Sequence, residues 1–393
     1  MSRQKKSRRK VLTGIGSGLM LAGFSSTISG ARSIGRDGTN VVTLTGTAEE
    51  PVTVEEVENI ERKVDYKFNK NTDSGQEAAK IAPVPSTNLR KHFVAGFAYK
   101  IDANGQPKTY IGYGTSRPEE SRSIDTTKHS ASIDSTASAT AERVHDEVSA
   151  VSTIFKKNNT VTTTGGVSAN SKYNINSASP NPDVDEEWHQ YNQASSTTYD
   201  RKDENSMGKV QVNGNLYRIP DDEDAEPNQN LWASVFSHNV FHENCNDCVL
   251  ANQIESMYAE HRWGNHFAEP GTHGLVEYYP HNPRQGEYDT EYAVSGGASG
   301  PSASISVNYH QPDVELDPSS SNHNVSWDFP KTEGVGVGND LFVNLSSSCW
   351  MKDDISNLPS KPAVGSTYNK AVWTDAASER SAYTELVYKH KYE

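Results

Sequence analysis

The chain has 393 residues, a formal net charge of −14 and only three cysteines. Apolar residues make up 34%, or about 37% when counted on the scale that puts ordinary soluble domains at roughly 45–50%. These figures exclude a polytopic membrane protein and a small disulfide scaffold, and the lack of a basic domain argues against nucleic-acid binding.

Residues 1–31 read as a signal peptide. Arg3, Lys5, Lys6, Arg8, Arg9 and Lys10 supply positive charge without an acid, and Val11 to Ile28 is an uncharged, glycine-bearing apolar run. Ser29-Gly30-Ala31 then offers small residues to a signal peptidase, with cleavage expected after Ala31. Ser7, Arg8, Arg9, Val11 and Leu12 match the twin-arginine pattern. The expected partners are therefore the twin-arginine export machinery and signal peptidase. The expected location is outside the cell, secreted or at the cell surface. No second apolar run of ~20 residues follows, so no transmembrane anchor is expected. Removing the six basic residues takes the net charge to −20. Molar salt, with a Debye length of ~3 Å, tolerates such a charge.

Residues 32–50 are polar and read as a flexible lead. Val54, Val57, Ile60, Val64 and Phe68 recur at helical spacing. Phe93 to Ile101 and Thr109 to Tyr113 read as a hairpin turned at Asp102-Ala103-Asn104-Gly105-Gln106-Pro107. Val144, Val148, Val151 and Phe155 place a second helix over Ser138 to Lys157, and Thr160 to Asn174 reads as a further hairpin. Residues 51–180 thus form a small α+β domain, closed by a linker-like stretch around Pro180 and Pro182.

Residues 181–393 read as an antiparallel β-sandwich, which makes the whole chain mainly β with a few helices. Strands are expected over Met207–Ile219, Leu231–Phe241, Gly274–Tyr279, Tyr288–Val294, Ala303–Tyr309, His323–Phe329, Leu341–Trp350, Lys370–Thr374 and Ala382–Tyr392. Asn213-Gly214 marks a turn or bend within the first of these. Leu250 to His261 reads as a helix.

Three features together resemble haloarchaeal twin-arginine secreted proteins of an uncharacterised family. They are the signal, the hairpin Val210 to Phe236 with its acidic loop, and the run Ser302 to Asp313 followed by Val325-Ser326-Trp327-Asp328-Phe329. The resemblance covers about a third of the chain and implies location and fold class, not chemistry.

The densest group of reactive side chains is His238, His242, Cys245 and Cys248. His-x3-His-x2-Cys-x2-Cys can close a tetrahedral zinc shell. In an oxidising exterior, Cys245 and Cys248 equally suit a disulfide, with Cys349 as an alternative partner for either. Asp221, Asp222 and Asp224 are oxygen ligands for calcium on a loop, or simply a solvated acidic loop. Zinc and calcium are thus the only cofactors the patterns allow, and neither pattern demands one. Asn158, Asn324 and Asn344 open glycosylation sequons. Tyr278, Tyr279, Tyr288 and Tyr292 with Trp263 form either a sugar-binding face or ordinary cross-strand packing.

No nucleophile elbow, phosphate loop or dinucleotide fingerprint is present. The leading expectation is a non-catalytic binding or structural protein with an extracellular ligand. Two alternatives compete with it. One is a membrane-active, β-pore-forming type, resting on the faint likeness of residues 302–329 to leukocidin-type strands and on the Ser/Thr-rich stretch 119–140. The other is a metal-dependent hydrolase using the His/Cys cluster.

Overall fold

A computed structural model describes residues 41–71, 81–86, 89, 92–102, 105–115, 129–157, 183–184, 189–200, 207–219, 229–243, 253–263, 273–280, 288–295, 304–311, 317–321, 323–329, 340–352, 363–374 and 379–390. The first elements are β1 (Val42–Thr45), helix α1 (Val54–Asn71), β2 (Ile81–Pro85), β3 (His92–Ile101), β4 (Pro107–Thr115) and helix α2 (His129–Lys157). Strands β5 (Asp183–Val184), β6 (His189–Tyr199), β7 (Gly208–Ile219), β8 (Gln229–His242), β9 (Gln253–Trp263) and β10 (His273–Tyr279) follow. The chain continues through β11 (Tyr288–Ser295), β12 (Ser304–Gln311), β13 (Asp317–Ser320) and β14 (Asn324–Phe329). It ends in β15 (Leu341–Lys352), β16 (Ala363–Thr374) and β17 (Glu379–His390).

The fold is the expected one, mainly β with two helices. An eight-stranded sheet runs β1-β3-β4-β6-β7-β8-β15-β10 and a six-stranded sheet runs β13-β14-β9-β16-β17-β2. Strands β16 and β17 lie against β6 and β7, so the two sheets form a sandwich. A small sheet, β11-β12-β5, stands beside them. Only β4 with β6 is parallel among the described strand pairs.

Several expectations change. Val42 to Thr45, read as part of a flexible lead, pair with Tyr99 to Gly96 and bury Leu44, because β3 offers them an open edge. The described strands of 51–180 join sheets shared with the rest of the chain. Strand β4 pairs with β6 and β2 with β17, so both large sheets draw on both halves of the chain. Leu250 to His261 read as a helix; instead Gln253–Trp263 is a strand paired on both sides, to β14 and β16. Asn213-Gly214 is not a turn: β7 runs straight through it between β6 and β8. A Cβ on Gly214 would strike the Val235 carbonyl and the Phe236 backbone, so glycine serves close approach here. The hairpin expected over 160–174 lies outside the described residues.

The helices follow their apolar spacing. Thr53 caps α1 reciprocally: its hydroxyl accepts from Glu56 N (3.2 Å) and Glu56 Oε2 accepts from Thr53 N (2.9 Å). Helix α2 begins nine residues before the expected Ser138. Its buried Val144, Val148, Val151 and Phe155 rest on β3 and β4. Val144 and Val148 occupy the space that a side chain at Gly96 or Gly112 would take. Lys100, buried, donates to the Phe155 carbonyl at the end of α2 (2.7 Å). Beneath the helix, buried Glu147 accepts from the Tyr199 hydroxyl (3.0 Å) and lies 3.9 Å from Lys209 Nζ. Arg143 pairs with Glu243 and stacks on Tyr199.

The interior between the sheets mixes apolar and polar side chains. Trp327, Trp373, Trp263 and Phe236 supply the bulk. Asn369 Nδ2 donates across the gap to the Gln211 and Asn239 carbonyls, both at 3.3 Å. Ser196 contacts Thr384. These bonds satisfy groups whose burial would otherwise be costly.

Candidate functional site

In an antiparallel sheet, residues directly opposite one another share a face. On the six-stranded sheet, Met257, Ala259, His261 and Trp263 face the sandwich interior, and all four are buried. Their alternates Ser256, Tyr258, Glu260 and Arg262 therefore face outward. The register sets Tyr258 beside Asp328 and Lys370, and Lys370 beside Tyr383. One row along, Glu260 stands beside Ser326 and Tyr368, and Tyr368 beside Glu385.

The result is a diagonal strip of half-buried tyrosines crossing three strands. Tyr258 and Tyr368 have ring centroids 6.1 Å apart with planes at 65°. Tyr368 and Tyr383 are 6.0 Å apart at 34°. His92 of β3 extends the strip, 4.2 Å from Tyr383. Arg262 lies over Tyr368, with its guanidinium carbon 5.2 Å from the ring centre. The same guanidinium donates to Glu260 Oε2 (2.6 Å) and to Glu385 Oε1 (3.4 Å). Glu260 also accepts from the Tyr258 hydroxyl (3.1 Å), and Glu385 from the Ser86 hydroxyl (2.5 Å). Both carboxylates are buried under the tyrosines.

A groove of about 750 Å³ opens here, lined among others by Ser256, Tyr258, Arg262, Asp328, Tyr368 and Lys370. Burial pushes the Tyr258 and Tyr368 hydroxyls up; for Tyr258 the next cause is Glu260, for Tyr368 it is Tyr383. Both stay protonated donors at neutral pH. Burial alone would lower the Arg262 guanidinium, but Glu260 and Glu385 outweigh it and raise it.

The residues singled out in the sequence fall elsewhere. Ser7, Arg8, Arg9, Val11, Leu12, Ala31, Asn158, Asp221, Asp222, Asp224, Cys245 and Cys248 lie outside the described residues. Cys349 is a free, fully buried thiol in β15, held protonated by burial. Asn324 and Asn344 are half-buried in strands, with their Oδ1 atoms out of solvent.

The structure does not bring His238 and His242 together. On a strand, positions i and i+4 share a face, yet stand ~13 Å apart at ~3.3 Å per residue. His238 instead meets His261 of the opposite sheet, Nε2 to Nε2 at 3.1 Å. Trp263 Nε1 donates to Ser347 Oγ (2.9 Å), and the same hydroxyl is hydrogen-bonded to His261 Nδ1 (2.8 Å). One proton is shared between the two facing Nε2 atoms. Both rings are neutral and buried. Burial lowers both, His261 to about 3, and the neighbouring His261 lowers His238 further. Among the described residues no three His, Cys, Asp or Glu side chains are grouped to hold a metal ion.

Trp263, considered for a sugar-binding face, is buried, and Tyr278 packs edge-on against Trp327. The side chains of Tyr288 and Tyr292 lie outside the described residues. Tyr258 and Glu260 escaped notice because Leu250 to His261 read as a helix, and Arg262 lies just past that segment. The signal that finds them is its period-two alternation.

Fold and site together define a β-sandwich with a polar-aromatic groove on one outer face. No family model matches the chain, and no curated protein does. A solved structure titled "Pore forming protein" is similar over 54% of this chain and 100% of its own length, at 10% identity and a TM-score of 0.28. A likeness that loose carries no argument about function. No helix among the described residues is long and apolar enough to cross a membrane.

Proposed function

We propose that the protein is an exported acidic β-sandwich that acts by binding rather than by catalysis, through the groove on the outer face of its six-stranded sheet. The observation that carries this reading is the strip Tyr258–Tyr368–Tyr383 over the fixed Glu260–Arg262–Glu385 network. Half-buried aromatic side chains, set by buried charges that are already paired, are parts of a preformed binding site. Export by the twin-arginine route, argued from Arg8 and Arg9, brings that groove to the cell exterior.

The test is a thermal-shift panel of neutral oligosaccharides, inorganic anions, quaternary ammonium compounds and peptides, run on wild type and on Tyr368→Ala. At least one class is expected to raise the wild-type Tm and to leave the variant unmoved. A panel in which no stabilisation depends on Tyr368 overturns the reading.

The membrane-active alternative needs residues 119–140 to form strands. Residues 129–140 are helical, with Ala137, Ala139 and Thr140 buried. That reading therefore requires the start of α2 to unwind, and dye release from lipid vesicles at micromolar protein tests it.

A further inference from the structure

We infer that the groove takes a neutral saccharide chain; this rests on the groove being the binding surface. Three features of the site point the same way.

The first is charge. Glu260 and Asp328 are balanced by Arg262 and Lys370 in the groove lining. The Arg262 guanidinium is already held by Glu260 and Glu385. A phosphate or carboxylate bound at Arg262 would have to take it from its buried partners, and a cation bound at Glu260 would have to take that carboxylate from Arg262. Either leaves a partly buried charge unpaired. An uncharged ligand breaks neither pair.

The second is the arrangement of the rings. Successive planes turn by 65° and then 34° along the strip. A rigid planar ligand cannot lie flat on two of them. A chain of compact rings joined by rotatable bonds can follow that turn along Tyr258 and Tyr368, the two tyrosines in the groove lining.

The third is the hydrogen-bonding rim. Tyr258 and Tyr368 hydroxyls, Ser256, Asp328 and Lys370 supply donors and acceptors beside the stacking faces. That mixture suits a ligand with hydroxyls around the edge of an apolar face. The groove, about 750 Å³, falls within the ~300–1,000 Å³ of small-ligand sites.

The test titrates cellotetraose, maltotetraose, mannotetraose and N-acetylchitotetraose into the full chain, followed by calorimetry. At least one is expected to bind, with affinity falling about tenfold or more in Tyr368→Ala, the scale of losing an aromatic anchor. Tyr258→Ala gives the same answer should Tyr368→Ala fail to fold. Tyr66→Ala, on an exposed turn of α1, is expected to leave binding unchanged. Because the ligand is neutral, affinity is expected to hold between 0.1 and 1 M KCl, where the Debye length falls from ~10 to ~3 Å. Silence from all four tetrasaccharides, or binding that survives both tyrosine variants, overturns the inference. If choline or inorganic phosphate instead binds in a Tyr368-dependent, salt-sensitive way, the saccharide is excluded while the groove stands. If nothing in the panel depends on Tyr368, the groove reading falls with it.

Discussion

Replacing Trp327 by alanine is expected to lower the unfolding free energy by about 3–5 kcal/mol, the cost of emptying a large buried aromatic site. The ring is fully buried between the sheets. It stands edge-on to His261 at 5.1 Å and to Tyr278 at 6.4 Å. Its Nε1 donates to the Pro280 carbonyl (3.1 Å), so truncation also strands a buried acceptor. The strand that carries it, β14, has only short β13 beyond it, so little else pins that side of the sheet. Against a typical total of ~5–15 kcal/mol, the loss is a large share. Urea unfolding of wild type and Trp327→Ala checks it, with Tyr66→Ala, 68% exposed, expected within ~0.5 kcal/mol of wild type. A loss under ~1 kcal/mol for Trp327→Ala would show that the two sheets do not close over this ring.

Acid is expected to weaken the fold through the histidine pair. The unfolded chain protonates each imidazole below pH ~6.5. In the folded chain burial keeps His261 neutral down to about pH 3 and holds His238 well below its ordinary value. Between these limits the unfolded state binds more protons, so stability rises with pH and is lost as pH falls from ~6.5. Each group contributes a slope of ~1.4 kcal/mol per pH unit. Between pH 7 and 5 both groups are expected to weaken the fold, His261 alone by about 2 kcal/mol. The geometry adds to it: with Nε2 facing Nε2 at 3.1 Å, only one proton fits between the rings. Urea unfolding at pH 7, 6 and 5 measures the slope, and His238→Gln is expected to lower it. An unchanged slope in that variant would place the acid sensitivity elsewhere.

Much of the fold was legible where local pattern and final environment agree. The apolar spacing of Val57 and Val64, or of Val144 to Phe155, marks helices because one face of each is buried. The Asp102–Gln106 turn was legible through its glycine. Gly105 sits at φ 80°, and its N–H donates to the Asp102 carbonyl. What failed was decided by distant partners. Gln253–Trp263 is rich in helix-favouring residues, and Ile254 and Met257 sit at helical spacing. Pairing to β14 and β16 on both sides overrides that preference. Asn213-Gly214 suits a turn, yet Phe236 on the neighbouring strand needs glycine at that point. The sharing of sheets between the two halves rests on β4 meeting β6 and β2 meeting β17, contacts that no local pattern encodes.

The groove was illegible for the same reason. Arg262 reaches a carboxylate 123 residues away in the chain. The three tyrosines come from three strands and align only once the register is set. The His238–His261 contact likewise crosses from one sheet to the other.

The most direct test of the groove is a nuclear magnetic resonance titration with tyrosine rings labelled, using the oligosaccharide, anion, ammonium and peptide panel. With the ligand class that binds, the account predicts that Tyr258, Tyr368 and Tyr383 ring signals move together. The buried Tyr99, Tyr110 and Tyr113 should stay in place. Movement confined to other tyrosines, with these three unmoved by every class, would contradict it.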